Sequence, residues 1–273
     1  MDTEIEFSNL DAEIKKIIYE TGAFIRKEFK NFSFSNVQYK GENDLVSYVD
    51  VTAEQMLKKV CATLIPDAGF HNEEGGIIES NNAYTWIIDP LDGTTNFTHG
   101  IPYFSISLAL MYKAKLKMGY VYGVIPDEMF SAIEGQGAFL NGDPIHISAH
   151  EKLKTSIVVT GFPCEHKVWM EAYLGILADF VDHSHGFRRF GSAALDLAYV
   201  ASGRFDAFFE FGLNPWDIAA GALLVNEAGG FTSDFDGGKN YIFGKEILAT
   251  NGRIHAEMLS LIKKRLKIED PQI

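Results

Sequence analysis

Residues 85–98, TWIIDPLDGTTNFT, hold two acids three positions apart, Asp89 and Asp92, with Pro90 and Leu91 between them. A carboxylate at the end of the apolar run Trp86-Ile87-Ile88 is poorly solvated and needs a cation or hydrogen-bond donors to offset its charge. With a proline forcing the chain to turn between them, the two acids can converge on one point. The Leu91 carbonyl is then a third oxygen. Such an all-oxygen set suits Mg²⁺, whereas zinc favours His or Cys. Gly93-Thr94-Thr95 follows, with backbone N–H groups and hydroxyls where a helix can start, a natural anion cradle. Together these features describe a metal-dependent phosphoryl-transfer site. On these residues alone an alternative stays open, because Asp-Pro-x-Asp-Gly is also ordinary turn chemistry.

Such a site needs rigid supports. Ile14, Ile17, Ile18, Phe24, Ile25 and Phe29 recur at helical spacing and predict an amphipathic helix over 11–30. Ala53, Met56, Leu57, Val60 and Leu64 predict a second, closed by Pro66. Phe104–Leu110 alternates as a strand, Lys117–Ile125 reads as its partner, and Asn141-Gly142 carries a hairpin signal. From about Ser148, short apolar strands (Ile157–Thr160, Phe205–Phe211, Ile247–Thr250) alternate with helices near 166–182, 193–201, 217–228 and 254–267. The chain therefore divides into an α+β half, 1–147, and an α/β half, 148–273, with no low-complexity linker, so the halves are expected to pack as one unit.

The 273 residues, 47% hydrophobic and 22% charged, have the composition of an ordinary globular protein. No apolar run approaches the ~20 residues that span a bilayer. The acidic N-terminus lacks the basic-then-apolar pattern of a signal peptide, so cytoplasm is the default expectation. Cys61 and Cys164 read as small buried hydrophobes, and the eight histidines show no convincing metal spacing. A net charge of −13 argues against nucleic acid or an anionic membrane as partner. The same charge opposes an anionic substrate unless divalent cations neutralise the carboxylates around the site.

Asp89–Phe97, Asp-Pro-Leu-Asp-Gly-Thr-Thr-Asn-Phe, resembles without a gap the signature of the inositol monophosphatase family. Other segments resemble that family in the same order. Asn72-Glu73-Glu74 stands where the family has Gly-Glu-Glu, which implies Glu73 as a metal-bridging ligand. Asp44 and Asp50 stand in its Lys-…-Asp-Leu/Phe-Val-Thr-…-Asp pattern, with Ser47 in place of Thr. Asp50 is thereby implied to pair with Thr94 and activate the attacking water; alternatively, it is an acid that complements a helix dipole. Arg188–Ala194 resembles the Arg-x-x-Gly-Ser/Thr-Ala-Ala segment. Gly191, Ser192 and Ala193 are suited to meet a polyol ring, and Ser192 also reads as an N-cap. Trp216-Asp217 with its Ala-rich helix and Glu227-Ala-Gly-Gly matches the second signature; Asp217, a capping acid when taken alone, becomes a ligand from the other half.

The resemblance implies the layered αβαβα sandwich shared with fructose-bisphosphatase, a homodimer, and hydrolysis of a phosphomonoester. It implies two or three Mg²⁺ per site and sensitivity to lithium. The implied ligands are Glu73, Asp89, the Leu91 carbonyl, Asp92 and Asp217, with Glu73, Thr94 and Asp50 handling the water. Asp92, Gly93, Thr94, Gly191, Ser192, Ala193, Glu210 and Asp217 are implied to hold substrate. Across the wider superfamily the two residues after Asp-Gly-Thr vary with substrate. Thr95-Asn96 is the pair of the inositol monophosphatases, so inositol monophosphate is the expected substrate. A sugar bisphosphate, a nucleotide phosphate, histidinol phosphate, or a non-catalytic regulatory role on the same fold are the alternatives.

Overall fold

The computed structural model describes residues 6–31, 37–39, 45–80, 83–162 and 170–266, with 37–39 and 45–47 described by backbone alone. Asp44, Cys164, His166 and the start of the helix expected from 166 lie outside these residues. The apolar periodicity at the N-terminus becomes α1 (Ser8–Asn31) and α2 (Tyr48–Leu64), the latter beginning ahead of Ala53, the first position of its apolar pattern. Between them β1 (Val37–Tyr39) and β2 (Leu45–Ser47) form a small antiparallel ribbon.

The next eight strands make one sheet: β3 (Gly69–Asn72), β4 (Gly76–Ile78), β5 (Tyr84–Asp92), β6 (Ser105–Tyr112), β7 (Lys115–Gly123), β8 (Glu128–Ile133), β9 (Ala138–Leu140) and β10 (Asp143–Ile145). Their spatial order is β10-β9-β8-β7-β6-β5-β3-β4, antiparallel except for the parallel pair β3/β5. Asn141 and Gly142 join β9 to β10 with φ of 52° and 92°, the positive values that a two-residue hairpin turn needs. The short helix α3 (Thr94–Thr98) follows β5.

The second half supplies β11 (Ile157–Thr160), α4 (Met170–His183), β12 (Gly186–Arg188), α5 (Ala193–Ala201), β13 (Ala207–Phe211), α6 (Pro215–Glu227), β14 (Phe231–Ser233), β15 (Glu246–Thr250) and α7 (His255–Leu266). Its five strands are ordered β12-β11-β13-β15-β14, parallel across β12, β11 and β13 and antiparallel beyond.

Alternation along the strands sorts the side chains into three cores. Trp86 and Ile88 of β5 face α1 and α2, whereas Ile87 between them joins Ala109, Val121 and Phe130 against α5 and α6. The five-stranded sheet covers the far side of α5 and α6 with Val159, Phe208, Ile247 and Ala249. Its outer face holds α4 and α7 through Phe209, Tyr173, Phe180 and Met258. The layers therefore run αβαβα. A sheet buried on both faces explains why β6, Ser-Ile-Ser-Leu-Ala-Leu-Met-Tyr, is apolar nearly throughout. The middle helices are small-residue helices because they are enclosed on every side; a Cβ at Gly221 of α6 would come within 2.5 Å of Leu197 Cβ in α5. Among the described residues no helix is long and apolar enough to cross a membrane.

Candidate functional site

Strand register decides which acids meet. Asn72 pairs with Ile88 in the parallel ladder, and the Glu73 N–H extends it by donating to the Ile88 carbonyl at 3.3 Å. Glu73 thus stands beside Asp89, and their carboxyls hydrogen-bond each other. On the other side of β5, Asp89 lies opposite Ser107 and Asp92 opposite Ser105. Residues three apart on a regular strand fall on opposite faces. A bulge between Asp89 and Asp92 absorbs one residue and brings both acids to the face shared by Ser105 and Ser107. Pro90 has no N–H to lose there. The sequence predicts that the strand breaks at Pro90; it instead runs on to Asp92, and the bulge rather than a turn makes the acids converge.

That face meets the N-termini of the two enclosed helices. Ser107 Oγ donates to the Trp216 carbonyl at 2.8 Å, and Ser105 Oγ lies 3.0 Å from Ser192 Oγ. Asp92 Oδ2 accepts the Ser192 hydroxyl at 2.6 Å and the Ala194 N–H at 2.8 Å. Ser192 starts α5, but its hydroxyl serves Asp92, and Asp92 does the capping from a hundred residues away in sequence. Asp217, in the first turn of α6, accepts the Asn214 N–H at 2.7 Å, so it caps its own helix as well as facing the other acids. Asp89 Oδ1 accepts the Leu91 N–H at 2.9 Å. Thr94 Oγ1 lies 3.0 Å from the Leu91 carbonyl oxygen and 3.4 Å from Asp50 Oδ1. Gly93, at φ 98°, turns the chain from β5 into α3, a conformation that glycine alone adopts readily.

Of the expected residues, Glu73, Asp89, Leu91, Asp92, Gly93, Thr94, Gly191 and Asp217 line one cleft of about 230 Å³. Asp50, Ser192, Ala193 and Glu210 are not among the residues that line it, and each is less than a tenth exposed. Glu210 extends from β13 over Gly161, where its carboxyl leaves no room for a Cβ.

Two side chains, Arg189 and Asn96, have roles that the sequence pattern does not show. Arg189 is, among the described residues, the single cation lining the cleft; it lies over the Phe162 ring at 5.4 Å. Its signal is the Arg188-Arg189 doublet ahead of Gly191. Asn96 lies inside the signature but is buried, its amide donating to the Tyr103 carbonyl at 2.7 Å and the Phe190 carbonyl at 2.8 Å. It ties α3 to the loop before α5 and does not line the cleft, whereas its neighbour Thr95 does.

The acids are electrostatically unstable as a group. Burial, followed by the nearby Asp217, holds the Glu73 carboxyl well above the usual carboxylate range, and burial and Glu73 do the same to Asp89. Burial pushes Asp92 up to about 6 even though Ser192 and Ala194 stabilise its charged form. Burial and Asp92 push Asp217 up to about 7. Glu210 is raised by burial and by Asp196 and Asp217, and lowered by Arg189. No three acids close on a single point as a finished coordination shell among the described residues. The donor chemistry nevertheless fits a hard divalent cation. Four carboxyls and a carbonyl crowd one cleft with no nitrogen or sulfur ligand among the described residues, and bound positive charge would offset the burial, and for Glu73, Asp89 and Asp217 also the mutual repulsion, that raise their pKa values.

Residues 7–267 match the model of the inositol monophosphatase family. The chain is 42% identical over 248 residues to Nus factor SuhB of Escherichia coli K12, covering 90% of this chain and 93% of that one. An IMPase from Thermotoga maritima superposes with a TM-score of 0.85 at 35% identity, covering 95% of this chain and 98% of the other. SaIMPase-II of Staphylococcus aureus, solved with inositol monophosphate bound, superposes with a TM-score of 0.77 at 27% identity, covering 96% and 100%.

Proposed function

The chain belongs to the inositol monophosphatase family, and on that premise we propose that it is a Mg²⁺-dependent phosphomonoesterase acting on inositol monophosphate. The observation that carries the proposal is the meeting of Glu73, Asp89, Asp92, Asp217 and the Leu91 carbonyl in one cleft beside Thr94. These five would hold two or three Mg²⁺. When bound, such ions supply Lewis acidity that makes water a nucleophile near neutral pH and stabilises charge on the leaving oxygen.

The residues of the chain supply the rest. Thr94, within reach of Asp50 and the Leu91 carbonyl, would donate its hydroxyl proton to one of them and accept a hydrogen bond from the attacking water. Glu73 would orient the same water from the opposite wall. Gly93 and Thr94 N–H groups would hold the phosphate, and Arg189 would add positive charge at the rim. Glu210, with Gly191 and Ala193, would meet ring hydroxyls. The substrate is proposed as inositol monophosphate because Thr95-Asn96 resembles the pair of that subfamily; SaIMPase-II has been solved with inositol monophosphate and also with 2'AMP bound, so the neighbour supports a phosphomonoester site and the residue pair carries the choice. The same proposal includes a cytoplasmic homodimer.

The Escherichia coli relative is named as a factor, not as a phosphatase. A partner-binding role without turnover is therefore the rival reading, and the presence in one cleft of every acid that the resemblance implies as a ligand favours turnover. The deciding experiment is phosphate release by purified protein across a panel of phosphomonoesters, with Mg²⁺ and with chelator. The expected result is release that needs Mg²⁺, falls in excess Ca²⁺ or Li⁺, and has its highest kcat/KM on inositol monophosphate. Full hydrolysis in chelator would refute the metal role; a preference for fructose bisphosphate or a nucleotide would refute the substrate.

A further inference from the structure

We propose that Glu54 is a positioning residue for the metal cleft: it holds the turn that presents Glu73. The inference rests on the reading of that cleft as a metal site. Glu54 lies in α2, one helical turn after Asp50, and is 5% exposed. Its Oε2 accepts two backbone N–H groups at 3.0 Å, those of Glu74 and Gly75, the two residues that follow Glu73. A buried carboxylate taking two N–H donors is a charge-assisted anchor, stronger than the equivalent neutral pair.

The surroundings are shaped for it. A Cβ at Gly75 would lie 2.5 Å from Glu54 Oε1, so the turn closes onto the carboxylate because position 75 has no side chain. Lys58 Nζ and Asn72 Nδ2 lie 3.3 and 3.5 Å from that same point, which places positive charge and an amide beside the anchor. Asn72 itself is fully buried with both amide atoms unpartnered, so it cannot take over the two N–H groups without moving.

The consequence concerns geometry across the cleft. Asp50 faces Thr94 on one wall, and Glu54 grips the Glu73 turn on the other. One rigid helix thereby sets the separation of the two walls between which the attacking water is proposed to sit. The β3–β4 turn has weak support of its own: β4 is a three-residue edge strand, and its Ile77 is 62% exposed. Without Glu54 the turn would keep its ladder to β5 only as far as the Glu73 N–H. Outer partners that orient metal ligands typically influence affinity 10–100-fold.

The test is Mn²⁺ binding, read by electron paramagnetic resonance or calorimetry on the full chain without substrate, with turnover measured in parallel. Glu54→Ala should raise the Mn²⁺ Kd about tenfold, or about 1.4 kcal/mol. It should lower kcat at subsaturating metal while leaving KM for substrate within twofold at saturating metal. Glu54→Gln keeps an oxygen that can accept both N–H groups and should recover Kd to within threefold of wild type. Gly75→Ala, which displaces Glu54, should weaken binding by itself but add nothing in the Glu54→Ala background. That non-additivity separates positioning from general loss of stability, and it keeps the test informative if Glu54→Ala folds poorly. Glu54→Ala and Gly75→Ala proteins that each bind Mn²⁺ within twofold of wild type would overturn the proposal alone. A wild-type protein that binds no Mn²⁺ would overturn the metal-site reading, and this inference with it.

Discussion

Asn96→Ala tests whether the signature asparagine is a clasp or a reader of substrate. Its amide donates to two backbone carbonyls, Tyr103 at 2.7 Å and Phe190 at 2.8 Å, from a position 4% exposed. Each such bond contributes roughly 1 kcal/mol net, and leaving buried acceptors unpaired adds to the loss, so the variant should lose about 3 kcal/mol. In a chain of this size 1 kcal/mol moves Tm by about 2–4 °C, which predicts a fall of about 9 °C. Asn96→Asp gives the sharper sign. It keeps the shape but replaces the donating nitrogen with an acceptor aimed at carbonyl oxygens, so it should be less stable than the alanine variant by at least about 1 kcal/mol. The assay is thermal unfolding with chelator present, so that metal linkage does not mask the effect. If Asn96→Ala melts within about 2 °C of wild type, or if Asn96→Asp is the more stable of the two, the clasp is refuted.

Asp217→Asn keeps an oxygen for the Asn214 N–H but loses a negative ligand. It should stay folded, lose more than 99% of turnover, and lose most of the Tm rise that Mg²⁺ is expected to give wild type, all checked by phosphate release and melting. Arg189→Met keeps the packing on Phe162 while removing the cleft's cation; KM for a phosphomonoester should rise about fivefold with kcat little changed in steady-state kinetics. His255 is buried between Ser233 and Thr250, and burial lowers its pKa from 6.5 to about 4. The unfolded chain therefore binds the extra proton between pH 6.5 and 4, so this histidine's contribution is intact above 6.5 and is lost as pH falls through that window. Denaturant midpoints at pH 7 and 4.5 should accordingly fall less for His255→Gln than for wild type.

What sequence alone determines here is what near neighbours encode. Helical periodicity marks α1 to within a turn, and Asn141-Gly142 marks its hairpin, because side-chain spacing and φ preferences act over a few residues. The donor chemistry of Asp89–Thr94 is equally local, and the gapless match through Phe97 identifies the family. The arrangement of the cleft is not local. Spacing alone puts Asp89 and Asp92 on opposite faces of a strand, and only the bulge against β6 reverses that. Glu73 meets Asp89 because β3 pairs with β5 in one particular register. Asp92 and Asn96 take donors and acceptors near residues 190–194, so their roles exist only once the second half has packed against the first. For Ser192, Asn96 and Glu54 the sequence shows a polar side chain but not its partner. The partner is chosen by which backbone groups the packed layers leave unpaired, and that is a property of the assembled sandwich.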